Sequence, residues 1–356
     1  MSNIRWDRIP FVASSAHPRA WLTIQHNYQL APNTIEAYGR GVENFLSFCA
    51  DAGISYEHAT REHVALWINE MSNRPLTNPN TNRLRPPNTV RHGQGLSNST
   101  IQQRLTAVRL FYDYLMEEGV RKGNPVGRGR YTSGITHPVV EERGILRRLK
   151  KLPWIPDEEQ WLNLLEIIKG EGVRNRFMFA LQYDCALRRH ELCSLELGDL
   201  DFAHRTLHIR AEITKYGRER VVVFSENTSL LLKGYLPRRR ELSAKSGALF
   251  LSESRRNFAE PITIWTWSKF MEEVSSKSGL DNLSTHTLRH LRLTDLARAN
   301  WKLQDIAKFA GHRNVNTTMI YIHLSARELR ARFARSMASI NSWREATIRE
   351  KLYGYS

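Results

Sequence analysis

Apolar residues recur at a helical period along most of this chain, and alternate at a period of two only between about residues 206 and 224. The first long stripe is Ile35, Tyr38, Val42, Phe45 and Cys49, opened by Asn33 with Glu36 three residues on. Thr60 precedes a second stripe of Val64, Trp67 and Met71. Ser99 and Gln102 frame a third, Ile101, Leu105, Val108, Phe111, Tyr112 and Leu115, which stops at Gly119. Helices are also expected from Asp157 (Trp161, Leu164, Ile168), from Asn175 to Asp184, from Ser229 to Tyr235 and from Ile264 to Val274. Leu288, Leu291 and Ala297 mark another, Leu303, Ile306 and Phe309 the next, and Leu329, Phe333, Met337 and Ile340 a last one after Ser325. The period-two stretch predicts a strand over 206–211 and a strand–turn–strand over 213–224, with Lys215 at the turn; Leu249 to Leu251 reads as a further short strand.

These elements imply a mainly α protein with a small antiparallel sheet in its second half. Residues 1–31 read as an irregular arm whose Trp6, Phe11 and Trp21 pack on an unidentified surface. Residues 32–126 form a helical domain, 127–155 a linker, 156–343 a mixed α+β domain and 344–356 a tail. Residues 73–98 are rich in Pro and Asn and read as a loop with Arg74, Arg83, Arg85 and Arg91 available for phosphate. Gly39 and Gly41 sit inside the first stripe at a cost of about 1 kcal/mol each. Close approach to DNA or to another helix would explain them, as would a tolerant surface position.

Charge narrows the function. Lys and Arg number 52 against 36 Asp and Glu, a formal charge of +16. Such an excess suits nucleic acid or an anionic membrane surface. No apolar run of membrane-spanning length and no apolar leader segment occurs, so nucleic acid and a cytoplasmic place, in a bacterial cytosol or nucleoid, are expected. Cys49, Cys185 and Cys193 show no CxxC spacing, so neither a disulfide framework nor a zinc site is expected. Between 121 and 152 the chain carries nine basic residues, among them Arg128, Arg130, Arg147, Arg148, Lys150 and Lys151, against two acidic ones. This segment reads as a linker that follows a phosphate backbone.

The candidate chemistry lies between Ser284 and His323. His286 and Arg289 share one helical face, Gly311-His312 follows the next helix, and Tyr321 comes nine residues later. Asn316 or Thr317 can cap a short helix that carries Tyr321. Two imidazoles, a guanidinium and a phenol form a set suited to a phosphodiester. The pattern resembles that of the tyrosine recombinase, or phage integrase, family, in which H-x-x-R, L-G-H and a Tyr shortly before a His make half of the active site. Ala310-Gly311-His312 stands for the second motif. Ala186-Leu187-Arg188-Arg189-His190-Glu191-Leu192 resembles the family's G-L-R-x-x-E-L box with Ala186 in place of Gly. The 32–126 domain resembles the family's SAM-like core-binding domain.

The resemblance implies a site-specific recombinase without metal, cofactor or ATP. Arg188 and Arg289 would bind the scissile phosphate and Tyr321 would attack it, giving a 3′-phosphotyrosyl link. His286 would serve as base, His312 as a donor to the phosphate, and Lys215 as the acid for the leaving 5′-oxygen. Arg218 and Arg220 compete with Lys215 for that role. Arg189 would point elsewhere, to DNA or the surface, and Glu191 would buttress the turn. The implied partners are duplex DNA with paired half-sites, a homodimer on one site, a homotetramer in the synapse, and accessory recombination proteins. A C-terminal helix would dock on a neighbouring protomer or on its own domain. The arm and the 73–98 loop point towards integration, excision or transposition of a mobile element. A type IB topoisomerase and a non-catalytic DNA-binding protein are the alternatives.

Overall fold

The computed structural model describes residues 4–74, 95–127, 152–243, 245–325, 344 and 348–351, and the chain divides into two compact units between residues 150 and 151. Most of the basic linker (128–151), most of the Pro/Asn-rich loop (75–94) and the expected last helix (326–343) lie outside the described residues. With them go Arg128, Arg130, Arg147, Arg148, Lys150 and Lys151.

The first unit contains α1 (Pro10–Ser14), α2 (Ala16–Asn27), α3 (Pro32–Asp51), α4 (Arg61–Asn73) and α5 (Asn98–Glu117). The expected irregular arm is therefore helical over most of its length. Pro10 opens α1 and Ser15 precedes α2, both ordinary start signals. The α1 amides of Phe11 and Val12 donate to the Glu43 carboxylate of α3 at 3.1 and 2.9 Å, which satisfies donors that a helix start leaves free. Trp21 is 1% exposed and stacks on Tyr38, so the arm is part of this unit's core. The helix α3 starts at Pro32 rather than at Asn33, with Ala31 as its cap position. The cap of α5 is Ser97, two residues before the expected Ser99; its Oγ accepts from Thr100 N. The apolar stripes close on one another: Phe45 meets Trp67 and Tyr112 edge-on. Asn44 Oδ1 accepts from both Trp67 Nε1 (3.1 Å) and Arg104 Nη1 (2.6 Å), joining α3, α4 and α5. Gly41 is where α3 meets α5, since a Cβ there would lie 2.9 Å from that of Ala107.

The second unit begins within the expected linker, because Trp154 packs against its core and Ile155 is buried. It contains α6 (Glu158–Lys169), α7 (Val173–Asp184), α8 (Arg189–Cys193), α9 (Glu226–Leu242), α10 (Ile264–Ser278), α11 (Thr287–Arg298), α12 (Leu303–Ala310) and α13 (Met319–Ser325). Strands β1 (Leu200–Asp201), β2 (Thr206–Ile209) and β3 (Arg220–Val223) form one antiparallel sheet in that order. The hairpin pairs Thr206 with Val223 and Ile209 with Arg220. Residues 211–213 form a 3₁₀ turn instead of a strand, and Lys215 rides in the long loop between β2 and β3. Instead of a strand over 249–251, Ala248 and Leu251 make isolated bridges to Glu196 and Pro261, and α9 runs seven residues past Tyr235, through Pro237. Phe177, Tyr235 and Phe250 pack together in the main core. A smaller cluster of Ala186, Leu293, Leu296, Ile306, Ala310, Tyr321 and Leu324 joins the end of α7 to α11, α12 and α13. That second cluster holds the candidate chemistry.

Candidate active site

The site is built on two left-handed turns. Just past α7 the chain turns at Ala186, whose φ of 48° is the conformation in which glycine is favoured. The helix α12 ends at Gly311, with φ 61°. These turns aim two backbone carbonyls, those of Ala186 and Ala310, at one guanidinium: Arg289 Nη1 donates to the first and Nη2 to the second. Arg289 is 3% exposed and makes no ion pair among the described residues. Burial and the neighbouring Arg188 push its pKa down, but a guanidinium keeps its charge at neutral pH. The result is a buried, fixed positive charge that pairs directly with no carboxylate among the described residues, Glu191 acting on it only from a distance.

Arg188 is placed differently. It is the cap position of α8, and its Nη1 pairs with Glu191 at 2.7 Å while Nη2 donates to Gly311 O at 3.2 Å. Glu191 is 1% exposed and takes a second ion pair from Arg220 on β3, also at 2.7 Å. Burial alone would raise the pKa of Glu191; the hydrogen bonds and charge of Arg220, with Arg188, outweigh it and hold the pKa at about 2. Arg220 Nε further donates to Phe309 O at 3.0 Å. The turn carrying Arg188, the strand leaving the Lys215 loop and the end of α12 are thus tied at one point.

The imidazole of His312 sits between Arg289 and the tyrosine segment. Arg289 Nη2 lies 3.1 Å from His312 Nε2, and His312 Nδ1 lies 2.8 Å from Thr318 Oγ1. A guanidinium can only donate, so Nε2 accepts and Nδ1 carries the proton. Burial, then the Arg289, Arg188 and Arg220 charges, push its pKa down to about 3, and it is neutral. Its ring stacks on Tyr321, centroids 6.1 Å apart and 9° between planes.

Tyr321 is 3% exposed. Its phenol oxygen is 3.1 Å from Nδ1 of His290, one turn beyond His286 on α11. His286 itself is the cap position of α11, keeps an exposed edge, and is hydrogen-bonded to Ser284 only through its backbone. Its pKa is lowered by desolvation, then by Arg289, Arg189 and Arg188. Gln182, fully buried, fixes the approach to His286 by donating to Thr285 O at 2.8 Å. Lys215 is exposed, with Nζ 5.5 Å from the Tyr216 ring centre.

The structure therefore brings together Arg188, Lys215, His286, Arg289, His312 and Tyr321, all of which line one open cleft of about 850 Å³. Arg189 does not line it; it bonds Ser268 and lies over the exposed ring of Trp265 on α10. Arg220, the competitor of Lys215, is committed to Glu191. Sequence reasoning missed His290 and Thr318. The His following Arg289 was visible as a polar residue one helical turn from His286, on the same face.

Comparison with known proteins identifies the family and the fold. A profile of the phage integrase family matches residues 156–328, and one of the phage integrase N-terminal SAM-like domain matches residues 21–85. A tyrosine recombinase XerC of Pelotomaculum thermopropionicum is 31% identical over 255 residues, which cover 68% of this chain and 76% of that one. Among solved structures, XerH site-specific recombinase bound to palindromic difH substrate, a post-cleavage complex, superposes with a TM-score of 0.61 at 20% identity, over 83% of this chain and 77% of that one. The Tn1549 transposon integrase in complex with a circular intermediate DNA gives 0.61 at 16% identity, over 84% and 92%. The chain belongs to the phage integrase family of tyrosine recombinases, a class of DNA strand transferases.

Proposed function

We propose that this protein recombines duplex DNA at specific sites through a covalent 3′-phosphotyrosyl link on Tyr321. The observation that carries the reading is Arg289: a buried guanidinium without an ion pair among the described residues, opening on a cleft that also holds Arg188 and the Tyr321 phenol. A phosphodiester entering there supplies the missing negative charge, and both guanidiniums meet its non-bridging oxygens. Tyr321 attacks phosphorus and the 5′-oxygen departs. The exposed Lys215, on the loop between β2 and β3, protonates it. His286 and His312 flank the phosphate. The new phosphotyrosyl ester keeps the energy of the broken bond, so a different 5′-hydroxyl can rejoin without ATP.

The partners follow from the reaction. Exchange between two duplexes needs four tyrosines, hence a dimer on each site and a tetramer in the synapse, with accessory proteins as further participants. The segments 32–126 and 156–343 act as a DNA-binding and a catalytic domain, and Arg128, Arg130, Arg147, Arg148, Lys150, Lys151 and Arg189 as phosphate contacts. The biological role we assign is integration, excision or transposition of a mobile element, and the fold shared with the Tn1549 integrase is compatible with it.

The test is covalent capture. Purified protein is incubated with fragments from its own genomic neighbourhood, denatured, and the attached DNA sequenced. The expected result is an adduct on Tyr321 that Tyr321→Phe abolishes while DNA binding persists. Captured sites at the ends of a mobile element fit the assigned role; a lone chromosomal site replaces it with a resolvase role. Relaxation of supercoils without exchange favours a topoisomerase. Salt-sensitive binding with no adduct favours a binding-only protein.

A further inference from the structure

We propose that His290, and not His286, takes the proton of the Tyr321 phenol during strand cleavage. The inference rests on the recombination reading above and specifies which group makes its nucleophile. Nδ1 of His290 is 3.1 Å from the phenol oxygen, and the two rings lie 5.8 Å apart, so the contact is direct. His286, one turn earlier, has its ring 6.3 Å from that of His290, on the side of the cleft rim.

Arg289 acts on the phenol through its charge, while its Nη atoms donate to Ala186 O, Ala310 O and His312 Nε2. Nδ1 of His290 is the side-chain hydrogen-bond partner of the phenol oxygen among the described residues, and with the imidazole proton on Nε2 it accepts the phenol proton. A need for such an acceptor is built into the site. Burial raises the pKa of Tyr321, and Arg289 and Arg188 only partly offset it, so the phenol is neutral at pH 7. His290 is neutral there too: burial, then His286 and Arg289, lower its pKa to about 4. Its unprotonated nitrogen can take the phenol proton, but its lowered pKa makes it a weak base. The charged and titratable groups around it are Arg289 and His286 at the start of α11, Tyr321 from α13, and His312 with Arg188 across the cleft. A phosphodiester among Arg188 and Arg289 cancels part of that positive field. Substrate binding thereby raises the basicity of His290 when a base is required.

The step balances as follows. The O–H bond of Tyr321 breaks and its proton goes to His290 Nδ1. The phenolate oxygen bonds to phosphorus, and the P–O5′ bond breaks with its electron pair on O5′. Lys215 supplies that oxygen with a proton. In rejoining, the flow reverses: His290 returns its proton to the departing phenolate.

The probe is a pool of nicked duplexes of randomised core sequence, from which wild-type protein captures its own substrate; single-turnover adduct formation is then followed from pH 6 to pH 9. His290→Ala is expected to slow adduct formation by about 10²–10³-fold. Its rate should climb about tenfold per pH unit as solvent base takes over, whereas wild type stays nearly flat above neutrality. A 5′-phosphorothiolate at the cleaved bond, whose leaving group needs no acid, restores Lys215→Ala but not His290→Ala. His290→Asn retains a hydrogen-bond acceptor without a titrating nitrogen and separates placement from proton transfer. If His290→Ala stays within about threefold of wild type, or if His290→Asn restores the full rate, His290 is not the acceptor. The same follows if the steep pH dependence appears in His286→Ala instead. A wild-type protein that forms no Tyr321 adduct with any pool member overturns the recombination reading, and this role falls with it.

Discussion

Glu191 and Arg220 form a buried ion pair, Oε2 to Nη2 at 2.7 Å, with 1% and 7% of their side chains exposed. Because Glu191 also holds Arg188, one carboxylate bridges two guanidiniums. Removing a partner from such a pair leaves an uncompensated buried charge, at a cost of about 3–5 kcal/mol. Glu191→Gln should therefore destabilise the second unit by several kcal/mol, as read by urea unfolding at pH 7. The pKa of Glu191 is depressed to about 2, so its stabilisation is present above the ordinary glutamate range and is lost as pH falls towards 2. The gap between wild type and Glu191→Gln should then narrow between about pH 4 and pH 2. A gap independent of pH would remove the charge explanation.

The buried histidines titrate in a different window. The pKa values of His290 and His312 lie at about 4 and about 3 in the folded protein, below the ordinary value of about 6.5. Between these limits the unfolded chain binds more protons, so stability falls as pH falls from about 6.5. Loss should begin there, well above the carboxylate range. Urea midpoints measured from pH 7 to pH 4.5 should show a shallower slope in the His290→Asn, His312→Asn double variant. An unchanged slope would assign the acid sensitivity to other groups.

Two glycines in α3 should respond oppositely to alanine. At Gly41 a Cβ would lie 2.9 Å from Ala107 Cβ and 3.4 Å from the Arg104 Cα, both fixed by the crossing of α3 and α5. Overpacking of about 1–3 kcal/mol should exceed a helix-propensity gain of about 1 kcal/mol. At Gly39 the contacts are Ile9 Cδ1 and Leu22 Cδ2, tips of flexible side chains at 3.1 and 3.2 Å. Calorimetry should therefore show a lowered first-unit transition for Gly41→Ala and little change or a small rise for Gly39→Ala.

The conformation of Ala186 makes a further prediction. A left-handed L-residue costs about 1–2 kcal/mol, yet its methyl group is fully buried in the cluster around Tyr321. Ala186→Gly relieves the first and forfeits the second, worth about 1 kcal/mol, besides freeing the unfolded chain. The net change in unfolding free energy should stay within about 1 kcal/mol. Ala186→Val adds a branched side chain at φ 48° and should cost more than about 2 kcal/mol. Equal effects of the two would show that φ is not what the position selects.

What the sequence disclosed divides along physical lines. Long stripes such as Ile35 to Cys49 were legible because a 20-residue helix repeats its period several times. The helices α1 and α2 were not, since one has five residues and the other, AHPRAWLTIQHN, mixes polar residues into its apolar face. Arg289, His312 and Tyr321 stood out as candidates through their spacing within local motifs, and Arg188 through the resemblance of its box. Arg220 was not, because its partner depends on which strand pairs with β2, and alternation alone suits either neighbour. His290 escaped for a similar reason: only the packing of α13 on α11 brings the phenol to it. Local spacing revealed which groups were available, and tertiary docking decides which of them touch.

Thr318 provides a last case of this kind. It is fully buried just before α13, and its Oγ1 takes the Nδ1 proton of His312 at 2.8 Å. That bond fixes which nitrogen of His312 faces Arg289, and it anchors the start of the helix that carries Tyr321. Thr318→Val keeps the shape but leaves a buried N–H without an acceptor, a penalty of about 1–3 kcal/mol. His312 can escape the penalty by moving its proton to Nε2, which then opposes the Arg289 guanidinium. Either way the imidazole loses its fixed position against the Tyr321 ring. Single-turnover adduct formation should fall about tenfold or more in Thr318→Val, with DNA affinity close to wild type, and Thr318→Ser should recover most of the rate. Nitrogen-15 spectra of histidine-labelled protein should show the His312 tautomer shifting in the valine variant only. A valine variant with normal cleavage and an unchanged tautomer would mean that Arg289 alone orients His312.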